Sequence, residues 1–186
     1  MPTPARTSLG EIVVAGRAIV ETDGLEGLTM QKVAAAVGVR SPSLYKHVAS
    51  RGLLVKLIVE DVVRDLGRTL DAVFTGDDPN NDMLTLARAF RDFAHRQPET
   101  YRLVFAPVPD EWRPAPEVLA SASGAVLKTA AALAGPERAL EAARLITAWA
   151  HGFLTMELAG AFRLGGDIDE AFTYGVKRLT DAVTRS

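Results

Sequence analysis

Apolar residues recur at helical spacing along most of this chain, separated by short intervals rich in glycine, proline and asparagine. Residues 8–23 and 51–74 each present one apolar face at intervals of three and four residues, and so do residues 82–97 and 167–184. No stretch alternates between apolar and polar residues, as a half-buried strand would. The pattern therefore predicts an all-α protein, with an N-terminal three-helix unit followed by a helical bundle.

Two short helices and a tight turn are predicted within residues 28–57. Thr29 is a suitable N-cap for a helix that runs to about Val37, and Gly38 ends it, because a residue just past a helix often needs positive φ. Ser41 is a second N-cap candidate, and Pro42 after it suits the first helical position. With the helix predicted before them, the two short helices would complete a helix-turn-helix unit.

The charge around this motif differs from that of the whole chain. Five basic residues and no acidic residue lie between Gly27 and Val59, although the formal net charge of the chain is −2. Solvated helix faces normally mix both signs, so a purely basic stretch favours binding to phosphates. Binding of duplex DNA is the interpretation that we prefer. The alternative is a non-catalytic helical adaptor that binds another protein, with the basic stretch as a solvated face.

The segments VAAAVGV, SPSLYKHV and SRGLL resemble the N-terminal DNA-binding region of TetR/AcrR-type transcriptional repressors. Three positions depart from the family pattern: Val48 stands where Phe is usual, Arg51 where Lys is usual, and Gly52 where an acidic residue is common. The resemblance implies an all-α homodimer that binds an inverted-repeat operator. It implies two groups of DNA contacts, namely phosphate contacts from Thr29, Tyr45, His47 and Arg51 and groove contacts from Arg40, Ser41, Pro42, Ser43 and Lys46.

Further elements are predicted beyond the motif. The segment 76–81 is the clearest linker, and 106–116, with four prolines, should be an ordered loop. A short helix over 100–105, a helix over 117–134 and an antiparallel hairpin of 137–164 with 167–184 complete the prediction. The expected domains are a DNA-binding domain at 1–50, a connecting helix at about 51–74, and a ligand-binding and dimerisation domain at 75–186.

The last predicted helix carries an apolar stripe whose partner the sequence leaves open. A single protomer could bury the stripe in its own core, or two copies could pair their hairpins as a four-helix interface. The family resemblance favours pairing. The candidate interface residues are Ile168, Phe172, Gly175, Val176, Leu179 and Val183.

Trp149, His151 and Gly152 are similar to the Trp-His-Gly motif of one C-terminal type among these repressors. In a long helix such residues are usually core, and His151 can be a hydrogen-bonded structural histidine. The sharper hypothesis is a cavity for a small apolar or amphipathic inducer, with His151 as a polar anchor. Its candidate lining residues are Phe90, Phe93, Tyr101, Phe105, Trp112, Trp149, His151, Phe153 and Met156.

The sequence argues against catalysis and against a cofactor. It has three histidines and no cysteine, and neither a metal-binding spacing nor a phosphate loop nor a nucleophile elbow is present. We therefore expect no enzyme activity, no metal and no cofactor. The apolar run near the N-terminus is too short for a signal peptide or a membrane span, so we expect a cytoplasmic protein without membrane contact. The predicted function is that of a ligand-responsive transcriptional repressor.

Overall fold

The computed structural model describes residues 7–184, in which every regular element is helical. The expectation about a leader segment rests partly on residues 1–6, which lie outside this range. Ten α-helices are described: α1 (Leu9–Gly27), α2 (Met30–Ala36), α3 (Ser41–Leu44), α4 (Arg51–Asp71), α5 (Pro79–Arg96), α6 (Pro98–Phe105), α7 (Pro116–Ala122), α8 (Gly124–Ala134), α9 (Ala139–Leu158) and α10 (Ile168–Thr184). Short 3-10 turns cover Asp110–Trp112 and Pro136–Arg138.

The chain divides into two compact units. The first unit contains the residues up to Arg64 together with Gln97–Leu119, and the second contains Asp65–Arg96 and the residues from Ala120 onwards. Helix α4 contributes to both. The sequence assigned residues 75–186 to the second domain, whereas α6 and the proline-rich loop after it group with the first unit.

Local sequence signals explain the start of the first unit. Ser8 and Glu11 form a capping box at the start of α1, and Gly24 interrupts that helix with φ 69° and ψ 177°, where the sequence predicted its end. The core of the unit joins α1, α2 and α4 through fully buried aliphatic side chains, among them Ile12, Val33 and Ile58. Since a Cβ on Gly16 would lie 2.8 Å from Ile58, the absence of a side chain there allows close packing.

The second unit is built around helices α5, α8, α9 and α10. Its core is aliphatic and aromatic, with Phe172 fully buried. Trp149 of α9 lies against Gly175 of α10, and Phe153 lies against Phe172, so the two helices run antiparallel, as the predicted hairpin requires. Within residues 7–184, no single helix has the length and apolar composition to cross a membrane, although α7 and α8, bent by 58°, satisfy that test as a pair.

Several helix boundaries differ from those predicted. Helix α4 ends at Asp71 rather than near Phe74, and α5 begins at Pro79, inside the predicted linker. Asp82 explains the tight connection, because its buried carboxylate accepts hydrogen bonds from the backbone of Thr75 and Gly76. The helix predicted over 117–134 is split into α7 and α8. The first of these lies so close to α4 that a Cβ on Gly67 would be 3.0 Å from Cα of Ala122.

Candidate DNA-binding site

Helix α2 and the turn after it have the geometry that the sequence predicts. The Thr29 hydroxyl accepts a hydrogen bond from the backbone N–H of Lys32 at 3.2 Å, which caps the helix. Gly38 adopts φ 71°, and the N–H of Val39 donates to the carbonyl of Ala34 at 2.9 Å. This left-handed turn ends α2 and redirects the chain into α3.

Helix α3 is a single turn followed by tighter backbone. It begins at Ser41, one residue before the predicted start, so that Arg40 is the N-cap and the Ser41 side chain is not the cap. Beyond Leu44 the N–H of His47 donates to the carbonyl of Leu44 at 2.9 Å, which is a 3-10 type contact. Leu44 and Val48 are fully buried, and Tyr45 is 49% exposed. The buried pair thus holds Tyr45, Lys46 and His47 outward on one short surface.

The basic residues of this surface are not equivalent. Arg40 and Lys46 are exposed, as are Pro42 and Ser43 beside them. Lys32 is also exposed, but its ammonium group pairs with Asp23 at 2.8 Å. The hydrogen bond from Lys32 lowers the pKa of the Asp23 carboxyl. Arg40 and Lys46 are therefore the cations of the motif that are best placed to meet DNA.

Arg51 makes contacts that the sequence did not reveal. Its guanidinium donates to the backbone carbonyl of Leu28 at 2.7 Å and to that of Leu25 at 2.6 Å. These carbonyls lie at the end of α1, next to the cap of α2, while Arg51 begins α4, whose Leu53 N–H is capped by Ser50. Arg51 thus ties α4 to the junction of α1 and α2, and a contact from Arg51 to a phosphate stays a prediction.

The candidate ligand residues fall into both units. Tyr101, Phe105 and Trp112 belong to the first unit. In the second unit, the Trp149 and Phe172 rings lie 5.5 Å apart and the Phe153 and Phe172 rings 5.2 Å apart.

Helix α5 and the remainder of α9 supply the other ligand candidates. Phe90 and Phe93 are buried, whereas Met156 is 48% exposed. His151 is half-buried, and this burial lowers its pKa, so the neutral imidazole is favoured near neutral pH. A neutral imidazole can donate and accept hydrogen bonds, as a polar anchor for a ligand would.

A charged cluster lies beside these aromatic rings. Arg91 of α5 donates to both carboxylate oxygens of Glu157 at 2.5 and 2.9 Å, and it pairs with Asp169 at 2.6 Å. Nε2 of His95 lies 3.2 Å from the same Glu157 carboxylate. Burial alone would raise the pKa of Glu157, but the hydrogen bonds from Arg91 and His95 outweigh it and the pKa is lowered. Sequence reasoning missed this cluster, because Arg91 and Glu157 are 66 residues apart.

The predicted dimer stripe is mostly inside the protomer. Phe172, Val176 and Val183 are buried in the core of the second unit, which is the first of the two arrangements considered for this stripe. Gly175 is covered by Trp149, and Ile168 and Leu179 are half-buried. The outward faces of α9 and α10 carry other apolar groups, namely Leu145, Ala148, Met156 and Tyr174, with open space above Gly152.

Three N-terminal helices that present an exposed basic helix-turn-helix, followed by a second helical unit, are typical of DNA-binding transcriptional regulators. The chain belongs to the TetR family: the model of the tetracyclin repressor-like C-terminal domain matches residues 83–179. The matched segment includes Trp149, His151 and Gly152, and the Trp-His-Gly subtype itself stays a prediction.

Known regulators agree with this assignment. The chain is 31% identical to the uncharacterized HTH-type transcriptional regulator Rv0681 of Mycobacterium tuberculosis, over 98% of this chain and 84% of the relative. It is 41% identical over 63 residues to the transcriptional repressor DrrR1 of Streptomyces coeruleorubidus, covering 34% of this chain and 23% of the relative. The crystal structure of a TetR variant from Acinetobacter baumannii in complex with minocycline has the same fold, with a TM-score of 0.72 at 20% identity over 97% of this chain and 98% of that one.

The protein is therefore a DNA-binding transcriptional regulator, which confirms the preferred interpretation over the protein adaptor. Regulators of this family are non-enzymatic DNA-binding proteins, in agreement with the sequence-based expectation. In the part of the chain that the structure describes, no three His, Cys, Asp or Glu side chains are grouped so that they could hold a metal ion.

Proposed function

We propose that this regulator is a homodimeric repressor that binds an inverted-repeat operator and releases it when a small apolar or amphipathic molecule binds the second unit. The observation that carries the DNA part is the surface formed by α3 and the turn after it. There, Tyr45, Lys46 and His47 project outward from two fully buried anchors, with Arg40 beside them. One turn of helix offers few base contacts, so two copies about one helical turn of DNA apart would be needed for specificity.

We assign the contacts as the sequence predicted them, with one change. Thr29, Tyr45 and His47 would meet phosphates, whereas Arg40, Ser41, Pro42, Ser43 and Lys46 would approach the major groove. Arg51 would act mainly as a positioning residue, since two of its nitrogens already bond to backbone carbonyls. The relation to the repressor DrrR1, at 41% identity over 63 residues, supports repression as the direction of control.

The outward faces of α9 and α10 are the best candidates for the dimer interface. Leu145, Met156 and Tyr174 are 48%, 48% and 67% exposed, and Gly152 leaves room for a close approach by another helix. Large apolar side chains that cluster on two neighbouring helices favour association over solvation. The buried stripe of Phe172, Val176 and Val183 would support this face from below.

The ligand would act on the second unit. Phe90, Phe93, Trp149, His151 and Phe153 are its proposed contacts, with Tyr101, Phe105, Trp112 and Met156 as the remaining sequence-based candidates. The TetR variant of Acinetobacter baumannii was crystallised with minocycline, a small molecule that illustrates the kind of ligand that we propose. Because α4 contributes to both units, a ligand that favours a different conformation of α4 would weaken operator binding. By linkage, the operator would weaken ligand binding by the same factor.

The DNA part is tested by selecting bound fragments from random duplex DNA with the purified protein. The selection is run at two salt concentrations with the wild type and with Tyr45→Ala/Lys46→Ala. We expect the wild type to enrich an inverted repeat and the variant to lose it. The half-site spacing then gives the separation of the two DNA-binding units. Recovery without an enriched sequence would contradict an inverted-repeat operator.

The dimer is tested by sedimentation of Leu145→Glu/Met156→Glu, with Leu119→Glu as the matched control for an equally exposed leucine in the first unit. The double variant should be monomeric and the control dimeric.

Release of the selected duplex by amphipathic compounds, beginning with minocycline, tests the ligand. A compound that releases DNA equally well from the wild type and from a folded Trp149→Ala/Phe93→Ala variant would contradict the proposed ligand contacts.

A further inference from the structure

Trp112 lies directly on Gly52, in the first turn of α4. A Cβ at position 52 would be 2.5 Å from Cε2 of the indole and closer still to Nε1, which is nearer than side chains approach each other. Gly52 is buried and Trp112 is half-buried. The sequence marks Gly52 as a departure from the family pattern, and glycine in a helix has a lower propensity than most residues. The structure gives that glycine a use, because only a residue without a side chain leaves room for the ring.

The segment that carries Trp112 is fixed at both of its ends within the first unit. At its start, the Glu21 carboxylate of α1 accepts hydrogen bonds from the backbone N–H and the hydroxyl of Thr100 at 3.1 and 3.0 Å. At its end, the N–H of Ala115 donates to Glu60 of α4 at 3.3 Å.

The loop between these two anchors is pre-shaped. Four prolines lie within residues 106–116, and each restricts its backbone before the loop docks. The 3-10 turn closes with the N–H of Trp112 donating to the carbonyl of Pro109 at 2.9 Å. The 3-10 turn thus places the indole against the first turn of α4.

Gly52 is adjacent to Arg51, which bonds to the carbonyls of Leu25 and Leu28 just before the α2 cap. A group that holds the first turn of α4 therefore also holds the end of α1 and the entry to the helix-turn-helix. The segment Gln97–Leu119 is followed and preceded in the chain by residues of the second unit.

We propose that Trp112 is a positioning residue for DNA binding. Seated on Gly52, it fixes the first turn of α4 in the orientation that presents α2 and α3 to the operator, and its departure from this seat weakens operator binding. Trp112 acts through Gly52 and Arg51, without touching DNA.

The experiment is a double-mutant cycle on operator affinity in the full-length protein, with Gly52→Ala, Trp112→Ala and the double variant. The probe is the duplex that the wild-type protein selects from random DNA. We expect Gly52→Ala and Trp112→Ala each to weaken binding about tenfold, and the double variant to bind as Trp112→Ala does, because residues in contact are not additive. Trp112→Ala adds no atom to α4, so it tests the seat even if Gly52→Ala fails to fold.

Gly10→Ala is the matched control, since it also places alanine in the first turn of a helix of the first unit, with its nearest neighbouring atom at 3.9 Å. It should bind the duplex as the wild type does. Additive losses in the cycle, or unchanged or tighter binding by folded Trp112→Ala, would overturn the proposal. A wild-type protein that selects no duplex at all would instead refute the operator proposal.

A spectroscopic readout separates positioning from general stability. Protein labelled with 5-fluorotryptophan gives one fluorine resonance for each of its two tryptophans, and Trp112→Phe assigns them. If packing of Trp112 on Gly52 strengthens operator binding, then operator binding must favour that packing by the same factor. Adding the duplex should therefore change the Trp112 resonance in the wild type and in Gly10→Ala. A Trp112 resonance that ignores saturating duplex would overturn the proposal.

Discussion

Both units have apolar cores, but they differ in the contacts that join distant segments of the chain. In the first unit, polar side chains join segments that are far apart in the chain. Arg17 of α1 pairs with Asp61 of α4 at 2.8 Å and donates to the Gln97 amide oxygen, while Glu21 binds Thr100. The charged and polar groups of α1 are thus bonded to α4 and to the start of α6.

In the second unit, aromatic rings join distant segments together with one charged cluster. The rings of Trp149, Phe153 and Phe172 contact one another, with Trp149 stacked on Phe172 and Phe153 edge-on to it. Arg91 with Glu157 forms the polar group beside them. Hydrogen bonds are directional and fix the relative position of two elements, whereas apolar contacts tolerate repacking at similar volume. The contrast suits a regulator in which the first unit must keep a fixed surface that is complementary to DNA, whereas the second unit, as proposed, must admit a ligand.

The largest expected effect is that of Phe172→Ala on the second unit. The change deletes a fully buried ring that contacts both Trp149 and Phe153. We expect a loss of about 3–5 kcal/mol in the free energy of unfolding, measured by urea denaturation, because a cavity remains where the ring was. Lys177→Ala, at an exposed position of the same helix, should change stability by less than about 0.5 kcal/mol. Equal losses in the two variants would mean that α10 is not held by this core.

Arg51→Met asks whether the first unit depends on its polar links. Methionine keeps the length of the side chain but leaves the carbonyls of Leu25 and Leu28 without the guanidinium. We expect a loss of roughly 2–3 kcal/mol in stability, since hydrogen bonds to charged groups are the stronger ones. Arg40→Met, at an exposed position, should weaken DNA binding without changing stability. Unchanged stability in Arg51→Met would contradict the positioning role of Arg51 and favour the phosphate contact that the sequence predicted.

The same contrast explains how much the sequence could predict. Caps and turns are local, so Thr29, Gly38 and the break at Gly24 could be predicted from neighbouring residues. The predicted start of α3 was wrong by one residue. Such an error is hard to avoid, because moving a helix start by one position changes only about one capping hydrogen bond, worth roughly 1 kcal/mol. Around the helix-turn-helix, local order was therefore accessible to within one residue.

Contacts between distant segments were not accessible. The split between α7 and α8 coincides with the close approach of Ala122 to Gly67, which no local pattern announces. Gly52 was the informative exception. A glycine at a position where the family commonly has an acidic residue could have indicated that another group approaches the backbone there.

A smaller effect is expected from Glu157→Gln in the charged cluster. The pKa of Glu157 is lowered in the folded protein, so its ionised form stabilises the fold above the ordinary value of 4.5, and this contribution is lost as the pH falls below it. The variant should lose roughly 1–2 kcal/mol at pH 7. The stability curves of variant and wild type should converge in acid, whereas Glu170→Gln, an exposed control, should follow the wild type throughout. Parallel curves would show that the cluster is not the acid-sensitive element of this unit.

The smallest effect, and the one that returns to DNA, is that of Lys46→Ala. Lys46 is exposed and lies outside both kinds of stabilising network, so its removal should leave unfolding unchanged. If its ammonium group neutralises one phosphate, the slope of log affinity against log salt should become shallower by about one for each protomer. Lys177→Ala, which removes an exposed lysine from the second unit, should leave that slope unchanged. If affinity falls in Lys46→Ala while the two salt lines remain parallel, Lys46 contacts a base edge, because a base contact discriminates sequence without releasing a phosphate counterion.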